Sequence, residues 1–251
     1  MAAPPDNDVL WARGLHHSYD GSPALRGVTL ALREGEIVTL TGTRGSGKTT
    51  LLDLLSGRRL PQHGEVWFNS VPVHTLGRPA RERLRRERFG WIGGTPHLVP
   101  ELTVWENTAL PLLLAGARPR AARGSAREWL DRLDAGDCAD LRPEKLPRHL
   151  RQRVAIARAL VHTPTVLFAD EPTAPLHQAD RAHVLRTLTA AARSHGITVL
   201  LATHDPGPGL TGPRDPAGTT LADRSVTLVD GRSGEPAPHP EEGRTECSLS
   251  G

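Results

Sequence analysis

The apolar and polar residues of this chain follow patterns that predict strands and helices in alternation. A period of two predicts strands at residues 9–19 and 28–32, with a turn at residues 20–23 between them. Short apolar runs predict further strands, and segments with helical spacing predict helices. The further strands are expected at residues 36–41, 64–69, 89–92, 165–169, 197–202 and 225–229, and the helices at residues 50–55, 78–88, 104–114, 121–133, 148–161 and 178–194.

The order of these elements predicts an α/β fold. The run at residues 165–169 is continuously apolar, which is typical of a central strand in a parallel sheet covered on both faces. Residues 206–220 contain four glycines and four prolines, so we expect a loop there. The two ends of the chain, residues 1–7 and 233–251, are rich in proline and polar residues, and we expect them to be disordered.

Composition excludes several classes of protein. No stretch approaches 18 uninterrupted apolar residues, and Met1–Asp8 lacks a basic region followed by an apolar core, so we expect neither a membrane span nor a secretion signal. Cys138 and Cys247 are the two cysteines, in no metal-binding spacing, which suits a reducing cytoplasm. The net charge of +3 comes from arginines interspersed with acids, so charge alone does not indicate nucleic-acid binding.

The strongest chemical signal is a complete G-x-x-x-x-G-K-[ST] pattern between a predicted strand and a predicted helix. Its glycines let successive N–H groups face a polyphosphate, and the helix N-terminus adds favourable partial charge. Lys48 is expected to reach the β- and γ-phosphates, and the Thr49 hydroxyl to ligate Mg²⁺. A glycine-rich surface turn is the alternative, but eight matched residues between strand and helix disfavour it. The candidate nucleotide-binding residues are Gly42, Thr43, Arg44, Gly45, Ser46, Gly47, Lys48, Thr49 and Thr50.

Two later strands end in candidate catalytic residues. Asp170 and Glu171 close the strand at residues 165–169, where Asp170 can hold Mg²⁺ beside Thr49 and Glu171 can polarise an attacking water. His204 follows the next strand, at the sheet edge where ligands bind in open α/β sheets, and we expect it to contact the γ-phosphate. Adjacent acids often form only a solvated turn, and a lone histidine carries little weight. Their order after a phosphate loop favours catalysis.

The phosphate loop, a helical segment, the D-E-P-T strand and the T-H-D strand together resemble the ATP-binding subunits of ABC transporters, over residues from about 9 to 232. The resemblance implies an α/β P-loop NTPase fold with a mostly parallel central sheet, an antiparallel N-terminal β part and an inserted helical subdomain at about 95–162, within a domain at 8–232. ATP and Mg²⁺ are the ligands it implies. It further implies that Tyr19 stacks on adenine, although this sole tyrosine could equally be a core residue.

Within that family, residues 100–107 and 110–116 resemble the lipoprotein-release and macrolide-export group, as does the ending at 222–232. This resemblance implies an integral-membrane permease partner, a homodimer or heterodimer of ATP-binding subunits, no nucleic acid, and a cytoplasmic position at the inner face of the plasma membrane. The strongly basic helix at residues 78–88 is more typical of a solvated face than of a ligand site.

Three motifs depart from the family pattern. Gly94 stands where the family has a glutamine that contacts Mg²⁺ or water. Leu146–Leu150 replaces the L-S-G-G-Q signature, with Pro147 removing a hydroxyl and an N–H, and with side chains where glycines allow close approach. Ala174–His177 replaces a segment whose aspartate communicates between the two nucleotide sites, and His177 takes the place of that aspartate. In the resemblance, the signature acts on the nucleotide of the opposite subunit, so a heterodimer with an intact partner would keep one good signature.

Two functional hypotheses follow. One is a transport motor that hydrolyses ATP, weakened by the altered motifs, and Glu171 and His204 favour it. The other is an ATP-binding regulatory scaffold with little or no hydrolysis, which Gly94 and the altered signature favour. A small-molecule kinase is disfavoured, because a kinase does not need the D-E-P-T and T-H-D strand pair.

Overall fold

The computed structural model describes residues 8–205 and 221–234. The predicted disordered N-terminus, the predicted loop at 206–220 and residues 235–251 of the predicted tail lie outside this range. The described strands are β1 (Asp8–Tyr19), β2 (Ser22–Arg33), β3 (Ile37–Thr41), β4 (His63–Phe68), β5 (Val71–Pro72), β6 (Phe89–Ile92), β7 (Val166–Asp170), β8 (Thr198–Thr203), β9 (Arg224–Val229) and β10 (Arg232–Ser233). The α-helices are α1 (Lys48–Leu55), α2 (Arg78–Arg88), α3 (Val104–Leu114), α4 (Pro119–Arg132), α5 (Arg148–Leu160) and α6 (Gln178–Ser194).

These elements form two sheets. The N-terminal sheet is antiparallel, with strand order β2-β1-β4-β5. The second has order β10-β9-β3-β8-β7-β6, and it is parallel throughout except for the pairing of β10 with β9. The predicted fold class, a mostly parallel central sheet with an antiparallel N-terminal part, is confirmed.

The central strands are buried on both faces, which explains their continuous apolar sequence. On one face, Ile37 and Val199 pack with α5 and α6. On the other face, Val38 and Leu200 pack with α1, which also contacts β1 and β2 of the antiparallel sheet. Because β3, β8 and β7 are parallel neighbours, their carboxyl ends meet at one edge of the sheet. The phosphate loop, His204 and Asp170 are placed at that edge for this reason.

The chain between β6 and β7 is helical, and α3, α4 and α5 pack against one another there. The start of α3 is defined by a capping box, in which the Thr103 hydroxyl accepts the Glu106 N–H and the Glu106 carboxylate accepts the Thr103 N–H. Buried Asn107 bonds its amide to the carbonyls of the preceding loop. Among the described residues, no helix has both the length and the apolar character needed to cross a membrane.

Several element boundaries differ from those expected. The strand expected at 28–32 begins at Ser22, because β2 pairs along almost its whole length with β1 through a series of bulges, and Gly27 at φ 85° interrupts its alternation. Helix α1 begins at Lys48 rather than at residue 50, directly after Gly47. Helix α4 begins at Pro119 rather than at residue 121, since proline is well suited to the first turn of a helix.

Candidate functional site

The phosphate loop connects β3 to α1, and its glycines adopt backbone conformations that other residues rarely adopt. Gly42 has φ 150° and Gly47 has φ 103°. A Cβ atom at Gly42 would collide with the Leu228 carbonyl, and one at Gly47 would collide with the Ala24 carbonyl. The loop is therefore closely packed against its neighbours, and only glycine fits at these two positions.

Lys48, the first residue of α1, is almost fully buried, with 6% of its surface exposed. Its ammonium group donates hydrogen bonds to the carbonyl oxygens of Gly42 at 2.7 Å and Thr43 at 2.9 Å, so it lies under the curve of the loop. Burial lowers the pKa of Lys48, and the charges of Glu171 and Asp170 partly oppose that shift. Its ammonium group is therefore held inside the phosphate loop.

Thr49 and Asp170 meet at the floor of the site. The Thr49 hydroxyl donates a 2.7 Å hydrogen bond to Oδ2 of Asp170, which ends β7. The other carboxylate oxygen, Oδ1, is buried and has no hydrogen-bond partner among the described residues. Burial raises the pKa of Asp170, opposed by the hydrogen bond from Thr49. A buried carboxylate oxygen without a partner beside a hydroxyl is suited to a hard cation, because such cations prefer oxygen ligands.

Glu171 and His204 form the second pair. Oε1 of Glu171 accepts the backbone N–H of His204 at 2.9 Å and lies 2.7 Å from its Nδ1 atom. Oε2 accepts a 3.3 Å hydrogen bond from the hydroxyl of Thr203. Glu171 itself has φ 50°, a left-handed conformation that is unusual for glutamate and that occurs preferentially at functional sites. The carboxylate is thus fixed by three hydrogen bonds.

These groups line one cavity of about 470 Å³. Tyr19 lies at its rim with 38% of its surface exposed, and its hydroxyl is 3.4 Å from Oγ1 of Thr50. The Arg59 guanidinium lies 5.2 Å from the centre of the Tyr19 ring. The predicted site residues that line this cavity are Tyr19, Arg44, Gly45, Gly47, Lys48, Thr49, Thr50, Asp170, Glu171 and His204.

The remaining predicted residues, Gly42, Thr43 and Ser46, are not among those that line the cavity. The carbonyls of Gly42 and Thr43 accept the hydrogen bonds of Lys48, and Ser46 Oγ is buried without a partner in the described structure. Sequence reasoning missed Ala24 and Ala174, which also line the cavity, because alanine carries no chemical signal. It also missed Thr203, although that residue stands in the T-H-D motif. Gln152 was missed as well: it is fully buried in α5, and its amide bonds to backbone carbonyls at the ends of β6 and β7.

The three altered motifs can also be located in the structure. A Cβ atom at Gly94 would lie 3.4 Å from Cβ of Glu171, so this position faces the catalytic candidates. Pro147 is the N-cap of α5 and makes no side-chain capping bond. The rings of His149 and His177, one from each of two altered motifs, have centroids 5.6 Å apart. The altered signature and the altered Ala174–His177 segment are therefore in contact, while Gly94 lies beside Glu171.

A second concave surface, here named the basic groove, lies at the edge strand β6. It consists of two adjoining cavities of about 480 and 260 Å³. The guanidinium of Arg58 lies 3.7 Å from the centre of the Trp91 ring. Arg158 is largely buried, which lowers its pKa, and it makes no ion pair within the described ranges. The groove is lined by Arg58, Glu82, Arg85, Arg86, Phe89, Trp91, Leu114, Arg158 and His162, among others.

Both a family model and a known protein sequence match this chain over most of its length. A family model described as ABC transporter matches residues 25–174. The lipoprotein-releasing system ATP-binding protein LolD of Paramagnetospirillum magneticum is 40% identical over 196 residues, covering 77% of this chain and 86% of that protein.

Solved structures show the same likeness. A dimeric post-hydrolysis state of the ATP-binding cassette MJ0796, bound to ADP and Pi, superimposes with a TM-score of 0.79 at 28% identity, covering 89% of this chain and 96% of that one. CbiO1 from Clostridium perfringens, described as part of the ABC transporter complex cbiONQ, has a TM-score of 0.76 at 26% identity, covering 90% of this chain and 87% of that one.

Proposed function

Because the chain belongs to the ABC transporter family and resembles the ATP-binding subunits of its lipoprotein-release and macrolide-export group, we propose that it binds Mg-ATP, dimerises and powers a membrane permease by hydrolysing ATP. The observation that carries this proposal is that two hydrogen-bonded pairs, each containing one carboxylate, line the same cavity. The Thr49–Asp170 pair and the Glu171–His204 pair each have a contact of 2.7 Å. A scaffold that only bound nucleotide would not need the second pair.

The residues present fit a magnesium ion. Thr49 and Asp170 would hold it, since a hydroxyl and a carboxylate are ligands that Mg²⁺ accepts, and Oδ1 of Asp170 is buried without another partner in the described chain. When bound, Mg²⁺ neutralises charge on the phosphates. Lys48 would supply a second positive charge from beneath the loop, and Tyr19 would stack on the adenine at the rim.

Glu171 is the proposed general base. It would take a proton from the water that attacks the terminal phosphorus, as the bond from that phosphorus to the ADP oxygen breaks. An ionised Glu171 accepts a hydrogen bond from His204 Nδ1, which leaves Nε2 as the ring nitrogen that faces outward from the pair. His204 would thereby orient the carboxylate and present its far nitrogen to the phosphate.

The basic groove supports a permease partner. Four arginines line it (Arg58, Arg85, Arg86 and Arg158), against one lining acid, Glu82. Trp91 and the exposed side chain of Leu114 add apolar surface at the same place. We propose that an acidic segment of the permease with apolar side chains occupies this groove. Such a partner would place the chain at the inner face of the plasma membrane, in the cytoplasm.

The domain organisation follows the same proposal. Residues 8–232 would form the ATP-binding domain, with the helices between β6 and β7 as its helical subdomain. Dimerisation is supported by the MJ0796 structures, which are described as dimeric. In a homodimer, both nucleotide sites would receive the altered signature. In a heterodimer with an intact partner, one site would receive a good signature and could be more active.

A second candidate function is an ATP-binding regulatory scaffold with little or no hydrolysis. The start of α5 favours it, because Arg148 and His149 occupy positions where the family signature has glycines, and Pro147 offers no hydroxyl. Losing one hydrogen bond to a charged phosphate costs roughly 1.5–3 kcal/mol, or about 10- to 100-fold. Gly94, which has no side chain to contact a cation or a water, favours it too.

ATP turnover separates the two candidates. Phosphate release is measured for the purified chain and for Glu171→Gln, each alone and with the permease, with ATP binding measured in parallel. Turnover in the complex that disappears in Glu171→Gln, while ATP binding persists, supports the motor. The same background in both proteins with ATP still bound would favour the scaffold.

A further inference from the structure

Gln152 connects three parts of the molecule from inside the protein. It lies in α5, four residues after Arg148, and its side chain is fully buried. Its Nε2 atom donates one 2.9 Å hydrogen bond to the carbonyl of Gly93 and another to the carbonyl of Pro172. Two carbonyl acceptors require the NH₂ end of the amide at this position, so the orientation of the side chain is determined.

Both acceptors stand next to residues of the site. Gly93 precedes Gly94 in the turn after β6, and Pro172 follows Glu171 in the turn after β7. Within the second turn, the Ala174 N–H donates to the Glu171 carbonyl at 3.1 Å. Glu171 keeps its left-handed backbone in this turn, at a cost of about 1–3 kcal/mol that the surroundings must offset. A hydrogen bond to the adjoining carbonyl restrains the turn directly.

The same amide is satisfied at one end only. Its Oε1 atom is buried and has no hydrogen-bond partner among the described residues. A buried acceptor left without a donor costs about 1–3 kcal/mol. An apolar side chain of similar length would avoid that cost, although it would leave two carbonyls unpaired. The amide thus satisfies one carbonyl in each of the two turns at the cost of one unpaired oxygen.

We infer that Gln152 is a positioning residue for Glu171. Its amide holds the turn after β7 in a fixed position relative to the turn after β6 and to the start of α5. The inference rests on the proposed role of Glu171 in hydrolysis. With no side chain at Gly94 to join the two turns, the amide of Gln152 provides the link between them. A displacement of α5 would reach Glu171 through this side chain.

Three substitutions test the inference in the full chain. Gln152→Met keeps the length and removes both hydrogen bonds. Gln152→Glu places a carboxyl group that can donate to one carbonyl only while it is protonated. The control is Asn107→Leu, which removes another fully buried amide, whose bonds go to Val99, Leu102 and Thr103 and not to either turn.

In ATP turnover, Gln152→Met is expected to lower kcat about 10- to 100-fold with KM for ATP unchanged, because a small misplacement of a catalytic group has effects of that size. Burial raises the pKa of the new carboxyl group in Gln152→Glu, but the group still ionises as pH rises and then loses its only donor. The kcat of this variant relative to wild type should therefore fall as pH rises. Asn107→Leu should keep kcat per folded molecule. A Gln152→Met protein with wild-type kcat, or a Gln152→Glu protein with the wild-type pH profile, would overturn the inference.

Hydrogen–deuterium exchange makes the test independent of hydrolysis. Gln152→Met should raise exchange in peptides spanning residues 90–95 and 168–176 together, and Asn107→Leu should leave these two segments unchanged. If wild type binds ATP without turnover, the motor proposal fails, yet the exchange experiment still decides the role of Gln152. Unchanged exchange in both segments, or the same change in the Asn107 control, would contradict the link.

Discussion

The carboxylate of Glu171 is held by both the side chain and the main chain of His204. Its Oε1 atom lies 2.7 Å from Nδ1 of the ring and 2.9 Å from the backbone nitrogen. Removal of the imidazole therefore leaves the carboxylate attached to the sheet edge through the main-chain bond and through Thr203. The contribution of the ring can be separated from that of the backbone for this reason.

We expect His204→Ala to lower ATP turnover about 10- to 100-fold, the equivalent of one lost hydrogen bond to a charged group. ATP binding should change much less, because the phosphate loop and Lys48 still bind the phosphates when the one contact from His204 is lost. Steady-state phosphate release with a parallel binding measurement checks this. His195→Ala, at the end of α6 and away from the cavity, is the matched control. Wild-type turnover in His204→Ala would mean that the main-chain bond and the Thr203 hydroxyl are sufficient to position Glu171.

The carboxylate of Asp170 carries a cost in the absence of a cation. Because burial raises the pKa of Asp170, its ionised form is less stable in the folded than in the unfolded chain. The resulting destabilisation is present at neutral pH and disappears as pH falls through the raised pKa towards 3.8. Asp170→Asn should thus raise the melting temperature of the chain at neutral pH in chelator, and this advantage should shrink in acid.

With Mg-ATP, wild type should have the higher melting temperature. Asp170→Asn lacks the charged ligand for the cation, so nucleotide binding stabilises it less. Thermal melting across pH, with and without Mg-ATP, measures both effects. The control is Glu34→Gln, which replaces an exposed carboxylate. It should change neither the melting temperature in chelator nor the stabilisation by Mg-ATP. A lower melting temperature for Asp170→Asn in chelator at neutral pH would refute the assignment of a desolvated carboxylate.

Much of the fold follows from the sequence pattern, and the reasons differ from element to element. The bounds of α3, α6 and β6 agree with prediction. Thr103 caps the start of α3, and glycines follow shortly after the ends of β6 and α6. The first half of β2 is missed because its residues are largely exposed, so the pairing with β1 makes it a strand and its own pattern does not. The two-residue strands β5 and β10 are too short to produce a pattern.

The site divides in the same way. Lys48, Thr49, Asp170 and Glu171 are predictable because their order along the chain reflects parallel neighbouring strands that end at one edge. Gln152 is not predictable, because a polar residue within a helix is normally exposed. Only the packed structure shows that this residue is buried against two backbone turns. The basic groove is only partly visible in sequence: Arg85 and Arg86 belong to the basic helix α2, for which the sequence predicts a solvated face, while Arg58 and Arg158 come from distant segments.

Tyr19 provides a test of adenine stacking. Replacement of an aromatic partner by alanine costs about 1–3 kcal/mol per stacked base, so Tyr19→Ala should weaken ATP binding about 5- to 100-fold. Tyr19→Phe should bind like wild type, since the 3.4 Å contact of its hydroxyl with Thr50 is at the long limit for a hydrogen bond. Titration with ATP and with triphosphate lacking the base distinguishes stacking from a general loss of the site. Equal losses for both ligands in Tyr19→Ala would contradict stacking.

The basic groove predicts which face binds the permease. Arg86→Glu reverses a charge that lines the groove, whereas Arg83→Glu reverses a charge on the same helix that does not. Arg83 forms a 2.9 Å ion pair with Glu87, whereas Arg86 lies 3.7 Å from the same carboxylate, so the melting temperature of both variants is measured alongside binding. We expect Arg86→Glu to reduce copurification with the coexpressed permease and Arg83→Glu to preserve it, with basal turnover unchanged in both. Equal recovery of the permease by the two variants would place the interface elsewhere.

Gly94 predicts a gain of function. Its φ is outside the left-handed region, and an added Cβ would lie 3.4 Å from Cβ of Glu171 and 3.5 Å from its carbonyl oxygen, which are ordinary contacts. The Cβ of a new side chain is therefore accommodated beside Glu171. If the missing side chain limits hydrolysis, Gly94→Gln should raise turnover about tenfold, the effect of one additional hydrogen bond worth about 1.4 kcal/mol. Gly94→Ala adds the Cβ without the amide and should remain at the wild-type rate. Turnover that rises equally in both variants would assign the effect to backbone rigidity, and turnover that rises in neither would move the limit on hydrolysis to the start of α5.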